Sequence, residues 1–314
     1  MVLTDLKYRK DVAAKRLFPP RYAKPSEAKQ ALLQVIRRDP RQLGFHSARW
    51  RLEMIVQACT WLQVSTAGSL SRLLKRLGIS YKRGRDYVHS PDRHYQEKLS
   101  LIELARLRAY YEPDRYVLLY LDQLTYYRQP TIAQSFESKG LRQPLAQRSH
   151  RANSSFRIIG AINCMTGQLS YLQRKRITRT VIANFWTQLY QCYPGAETIY
   201  VVLDNWPVHF HPDVLAVLQP QQFPFPPKLP GNWPTEPAPK AKQDNMPVQL
   251  LPLPTYASWL NPIEKLWRWL KQEVLHLHRF SDDWPELREV VASFLDQFAT
   301  GSDALLRYVG LLPI

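Results

Sequence analysis

The chain has 314 residues, 45% of them hydrophobic, which is enough for one large domain with appendages or for two domains. Its three cysteines, Cys59, Cys164 and Cys192, form no CxxC pair, and no apolar run reaches the roughly 18 residues that span a membrane, so a disulfide scaffold, a zinc ribbon and a membrane protein are all excluded. The net charge is +17, and 23 of the 43 Lys and Arg residues fall in the first 114 positions, as in a polyanion-binding module joined to a more neutral body.

Met1 to Lys7 lacks a signal-peptide core, and a cytoplasmic, nucleoid-associated protein is expected. Residues 1–25 are expected to be a basic arm. Ser26 is expected to cap a helix through Ala28, Leu32, Leu33, Val35 and Ile36 that Asp39-Pro40 ends. A second helix is expected from Ser47 to about Leu62. A third begins near Thr66 or Ser69, with Leu70, Leu73, Leu74 and Leu77 inward and Ser71, Arg72, Lys75 and Arg76 outward, and Gly78 stops it. Three short helices with a basic outer face on the last predict a helix-turn-helix over 26–93, and the Lys82-Arg83-Gly84-Arg85 run fits a wing or minor-groove arm.

A helical linker over 94–114 leads into alternating strands and helices. Tyr116 to Leu121 is a buried apolar run ending at Asp122, with Leu124 to Tyr127 as its possible hairpin partner. Phe156–Asn163 and Leu169–Leu172 read as strands around a Thr166-Gly167 turn, and Thr180–Tyr193 reads as a helix. Ile199 to Leu203 is a second apolar strand, ending at Asp204, and Val248–Leu253 is a last strand. Next comes a helix with an apolar stripe at Ile263, Leu266, Trp267, Leu270 and Val274, with Pro262 in its first turn and Asn261 as a natural cap. Glu264 stands at the edge of that stripe.

Either aspartate alone has an ordinary reading, since Asp favours turns. Two central strands that each end in an acid bring Asp122 and Asp204 together, and the helix adds Glu264. Three neighbouring carboxylates repel one another unless a cation lies between them, and an all-oxygen set suits Mg²⁺ or Mn²⁺. A pair of such ions suits in-line displacement at phosphate, and the basic N-terminal third makes that phosphate part of DNA.

The strings Asp204-Asn205-x-x-x-His209 and Leu260-Asn261-Pro262-Ile263-Glu264-x-x-Trp267 resemble the second and third catalytic blocks of bacterial insertion-sequence transposases in the mariner-related DDE superfamily. Asp39 to Phe45 with Arg49-Trp50, and Leu73 to Arg83, resemble the winged helix-turn-helix that precedes the catalytic domain in that family. The resemblance implies a ribonuclease H-like α/β fold over 115–295, a tail at 296–314, and Asp122, Asp204 and Glu264 as catalytic metal ligands for two Mg²⁺ or Mn²⁺ ions. It implies Asn205, His209 and Asn261 behind them, and DNA contacts from Arg72, Lys75, Arg76, Lys82, Arg83, Arg85, Arg268 and Lys271. The implied activity is cleavage at transposon-end inverted repeats and joining of the 3′-hydroxyl to target DNA by a homodimer or larger assembly. An endonuclease without strand transfer, and a domesticated or inactive DNA-binding element, are the alternatives.

The chain departs from the family in three places. Asp204 and Glu264 are 60 positions apart, where relatives need little more than half that, and the excess is a Pro-rich insertion at 220–247 expected to be an extended surface loop. Gln123 stands where many relatives have a second acid. Residues 1–40 are too few for the additional helix-turn-helix that relatives often carry. The basic segment Thr131–Ser155 fits a DNA-contacting loop or an arm exchanged between protomers, with a solvated loop as the alternative. Trp206, Trp267 and Trp269 are candidates for base stacking, with Trp267 placed in the core. The pairs His209/His211 and His276/His278 read as packing or surface histidines, not zinc ligands.

Overall fold

The computed structural model describes residues 24–82 and 90–312. The chain divides into two compact units, residues 1–86 and 87–314. Arg83 and Arg85 lie outside the described residues.

The first unit contains α1 (Pro25–Ile36), α2 (Leu52–Ala58) and α3 (Ala67–Arg76), packed on Leu32, Ile55, Cys59, Leu62, Leu70 and Leu73. α1 starts one residue ahead of Ser26. Pro25 occupies the first turn, so Ser26 lies inside the helix and Lys24 precedes it without a side-chain cap. α2 is much shorter than Ser47–Leu62, because Arg51 is extended and Trp50 is held outside the helix by its Nε1–H, which donates to the Arg38 carbonyl at 2.9 Å. α3 has the expected cap, with Thr66 Oγ1 accepting from the Ser69 N–H at 3.2 Å. Gly78 follows its last turn at φ +65°, a conformation that suits glycine. Arg72 and Lys75 lie on α3, Arg72 exposed, and Lys82 is exposed beyond it.

The second unit opens with α4 (Tyr95–Tyr111) and is built on a five-stranded mixed sheet. Its strands are β1 (Tyr116–Tyr127), β2 (Ser155–Asn163), β3 (Leu169–Arg174), β4 (Thr198–Leu203) and β5 (Val248–Pro252), in the order β3-β2-β1-β4-β5. β1, β2 and β3 are antiparallel, whereas β4 and β5 run parallel to β1. The parallel pairs need crossovers. α5 (Arg179–Cys192) lies between β3 and β4, and the short α6 (Pro212–Leu215) with the Pro-rich insertion lies between β4 and β5. One sheet face packs on α5 through Ile182, Phe185, Trp186 and Leu189. The β1–β3 side packs on α7 (Ile263–Leu270), α8 (Trp284–Asp296) and α9 (Asp303–Val309). Both faces are therefore covered, which accounts for the nearly unbroken apolar runs in β1 and β4.

Two expectations change here. Leu124–Tyr127 is not a hairpin partner of β1 but its continuation, which pairs with β2 as far as Tyr127↔Ser155. The Pro-rich insertion is irregular, as its prolines require, yet it is pinned to the body. Gln221 donates to the Val248 carbonyl at 2.7 Å and accepts from the Leu250 N–H at 3.0 Å, along the open edge of β5. Phe223 packs on Phe210, Phe225 stacks on His94, and Trp233 rests on His211.

Candidate active site

β1 outruns β4, and the site lies at that step. The parallel ladder runs from Tyr116↔Thr198 to Tyr120↔Val202. Carried two residues further, the same register sets Asp122 level with Asp204, just past the end of β4. Asp122 still pairs with Gly160 of β2 on its other side. It is thus held mid-strand and half-buried, whereas the Asp204 side chain, past its strand, is 54% exposed.

The loop after β5 and the start of α7 bring in Glu264. Asn261 is buried, and its side chain does not cap α7. Its Nδ2–H donates to the Leu121 carbonyl at 2.9 Å, binding the helix entry to the residue before Asp122. The helix stripe is buried as expected, at Ile263, Leu266, Trp267, Leu270 and Val274. Glu264 faces solvent one turn before Arg268, with Lys271 following, and both cations are exposed.

The three acids act on one another. Burial first, then the charges of Glu264 and Asp204, push the Asp122 carboxyl up to about 7; the Gln123 backbone N–H and the Trp267 N–H pull the other way. Glu264 is also raised, first by dehydration and further by Asp204, with Lys271 and Arg268 opposing. Glu264 is exposed to solvent, whereas Asp122 is half-buried. Among the described residues no three His, Cys, Asp or Glu side chains converge into a ready-made cation cage. As candidate donors, Asp122, Asp204 and Glu264 would offer oxygen ligands alone, and a divalent cation would relieve their repulsion, which suits a hard ion.

Further side chains support the acids. Asn205 Nδ2–H donates to the Leu253 carbonyl at 2.7 Å, tying the Asp204 loop to the end of β5. His209 is fully buried, with Nε2 3.3 Å from Asp204 Oδ1 and 3.2 Å from Gln123 Nε2. His209 Nδ1 meets no hydrogen-bond partner among the described residues; Nε2 accepts from the Gln123 amide when unprotonated and donates toward Asp204 when it carries the proton. Gln123, the family departure, therefore lies against the histidine behind Asp204.

The other histidines have separate partners. His211 Nε2 meets Arg179 at 2.8 Å, His276 Nδ1 meets Thr131 Oγ1 at 2.7 Å, and His278 Nδ1 accepts from the Phe280 N–H at 3.2 Å. Trp269 is not presented for stacking; it packs on Phe294, Phe298 and Tyr308. Trp206 lies edge-on to His209.

Sequence reasoning missed one interaction. Trp267, placed in the core, also donates its indole N–H to Asp122 Oδ2 at 2.9 Å. The available signal was Gly160, isolated in the run Ile158-Ile159-Gly160-Ala161-Ile162, since a glycine inside a strand marks close approach by another group.

A mixed sheet in this order, with acids level on two neighbouring parallel strands and a third on a covering helix, defines a ribonuclease H-like enzyme. The family described as DDE superfamily endonuclease matches residues 117–288, more than half of the chain and inclusive of all three acids. The chain belongs to the DDE superfamily endonucleases. It is 21% identical over 262 residues to the insertion element IS630 uncharacterized 39 kDa protein of Shigella sonnei, covering 82% of this chain and 68% of that relative. Its fold is similar to that of the Mos1 mariner paired end complex with Mn, with a TM-score of 0.58, 17% identity, and coverage of 94% of this chain and 77% of that one. The Mos1 strand transfer complex is also similar, at a TM-score of 0.54 and 17% identity, covering 93% and 75%. No helix among the described residues is long and apolar enough to cross a membrane.

Proposed function

We propose that this endonuclease is an insertion-sequence transposase. It binds inverted-repeat DNA ends, hydrolyses a phosphodiester there and joins the released 3′-hydroxyl to target DNA. The observation that carries this reading is the register that sets Asp122 level with Asp204, together with the charge of Glu264 felt at Asp122. Asp122, Asp204 and Glu264 would hold Mg²⁺ or Mn²⁺, in keeping with the manganese and magnesium complexes of the fold relatives. Divalent cations at such a site supply Lewis acidity to both the attacking and the leaving oxygen.

The protein's part is to hold these carboxylates in place. Asn205, His209 and Asn261 fix the backbone and side chains beside Asp204 and Asp122, while Arg268 and Lys271 place positive charge beside Glu264 for a phosphate backbone. In the first unit, α3 is the DNA-reading helix of a helix-turn-helix, with Arg72, Lys75, Arg76 and Lys82 at the phosphates and Arg83 and Arg85 beyond them.

Two ends must be processed together, so the working form is a homodimer or larger assembly on DNA. The segment 131–153 suits an arm between protomers. Its two feet are clasped where Gln129 Nε2–H donates to the Ser149 and Arg151 carbonyls, and Ile132, Phe136, Leu141 and Leu145 between them are largely exposed.

The test uses duplex transposon ends and a target plasmid in Mg²⁺. Asp204→Ala and Glu264→Ala should each abolish cleavage while leaving end binding intact. Full cleavage by either variant rejects the triad, and cleavage without joined product by the native chain leaves an endonuclease without strand transfer.

A further inference from the structure

The third acid arrives on a helix that also reaches back to the first. Residues 264 and 267 are neighbours on one helical surface, so α7 presents Glu264 to solvent while turning Trp267 into the sheet. Trp267 is 1% exposed, and its only polar side-chain atom meets the Asp122 carboxylate. Burial of an indole does not by itself produce such a bond. Trp186 is equally buried, and its Nε1 has no partner among the described residues.

A slot in the sheet sets the depth of the Trp267 ring. Gly160 pairs directly with Asp122 across the β1–β2 ladder. A Cβ at Gly160 would lie 2.9 Å from Trp267 Cη2 and 3.3 Å from Cζ2, closer than side chains pack. The indole fills the space that a side chain at position 160 would take. The same helix entry holds the preceding carbonyl through Asn261. β1 is therefore gripped at two consecutive residues by the segment that delivers Glu264.

We propose that Trp267, seated by Gly160, is a positioning residue that fixes the rotation of the Asp122 carboxylate for cation binding. This rests on the reading of Asp122 as a metal ligand. An N–H on one carboxylate oxygen removes rotational freedom from the group, and such outer hydrogen bonds typically govern metal affinity by about 10–100-fold.

The test measures Mn²⁺ binding to the full chain by calorimetry, together with the Mg²⁺ dependence of end cleavage and the thermal midpoint. Trp267→Phe keeps an aromatic ring in the core and removes the N–H. It should weaken Mn²⁺ binding by roughly tenfold or more and raise the Mg²⁺ requirement in step. A lower thermal midpoint with unchanged Mn²⁺ affinity would mean Trp267 is packing alone, and the proposal fails.

Gly160→Ala displaces the indole and should give the same metal defect, serving also as the second variant if Trp267→Phe does not fold. Phenylalanine lacks the two ring atoms that crowd position 160. Gly160→Ala combined with Trp267→Phe should therefore bind Mn²⁺ no more weakly than Trp267→Phe alone; additive losses overturn the seating role. Asp122→Asn separates the two claims. If it binds Mn²⁺ like the native chain, the triad itself is wrong. If it loses Mn²⁺ while Trp267→Phe does not, only the positioning role falls.

Discussion

Asp122 is the residue on which the site's chemistry and stability meet. Its carboxyl is pushed up to about 7 by burial and by its acidic neighbours, against the ordinary aspartate value of 3.8 taken for the unfolded chain. Between those values the folded protein holds a proton that the unfolded chain has released, so stability of the metal-free protein falls as pH rises from about 4 to about 7. The loss from this group is on the order of a few kcal/mol, at roughly 1.36 kcal/mol per unit. Denaturant unfolding in chelator should show that decline, and Asp122→Asn should flatten it; an equally steep decline in the variant would place its origin elsewhere. Cation binding needs the deprotonated form, so stabilisation by added Mn²⁺ should grow over the same pH range. The three acids stood out in the sequence as candidates, because each follows or opens an apolar element. The hydrogen bonds of Trp267 and Asn261 were not. Trp267 falls on the apolar stripe that marks core, and Asn261 stands where helix caps stand.

At the scale of elements, the insertion shows how composition and placement separate. Its prolines forbid a strand, yet Gln221 supplies a donor and an acceptor to the open edge of β5. Gln221→Ala should cost about 1–3 kcal/mol by leaving both backbone groups without that partner, read as a lowered thermal midpoint. An unchanged midpoint would show that water serves the edge as well. In the first unit, Thr66→Ala removes the cap of α3 and should cost about 1 kcal/mol. Replacing Arg72, Lys75 and Arg76 with Ala should weaken end binding and make its salt dependence shallower, by a slope of about 0.9 for each phosphate no longer neutralised. An unaltered slope would move the DNA-reading surface off α3. Helices and strands were readable from periodicity. The length of β1 was not, because Asp122-Gln123 interrupts the apolar run and looks like a turn, while β2 supplies the partner that carries the strand on to Tyr127.

Across the whole molecule, the proposed function assigns DNA holding to the basic first unit and DNA cutting to the carboxylates of the second. Sedimentation of the protein on end duplex should show two protomers where the free chain shows fewer, and removal of residues 133–146 should abolish that paired complex without abolishing single-end binding. A paired complex that survives the deletion would assign pairing to another surface. By itself, the amino-acid sequence determined most helices and strands, the apolar faces and the family, and it singled out three acids as candidates, since these depend on residue type and on spacings of a few positions. Tertiary structure alone decided that β1 passes β4 at Asp122, that Trp267 and Asn261 grip β1 there, and that the insertion closes the edge of β5. The physical reason lies in separation along the chain. The Trp267–Asp122 and Asn261–Leu121 bonds join residues 145 and 140 positions apart, and local periodicity carries no information about which polar atoms meet over such distances once the core has closed.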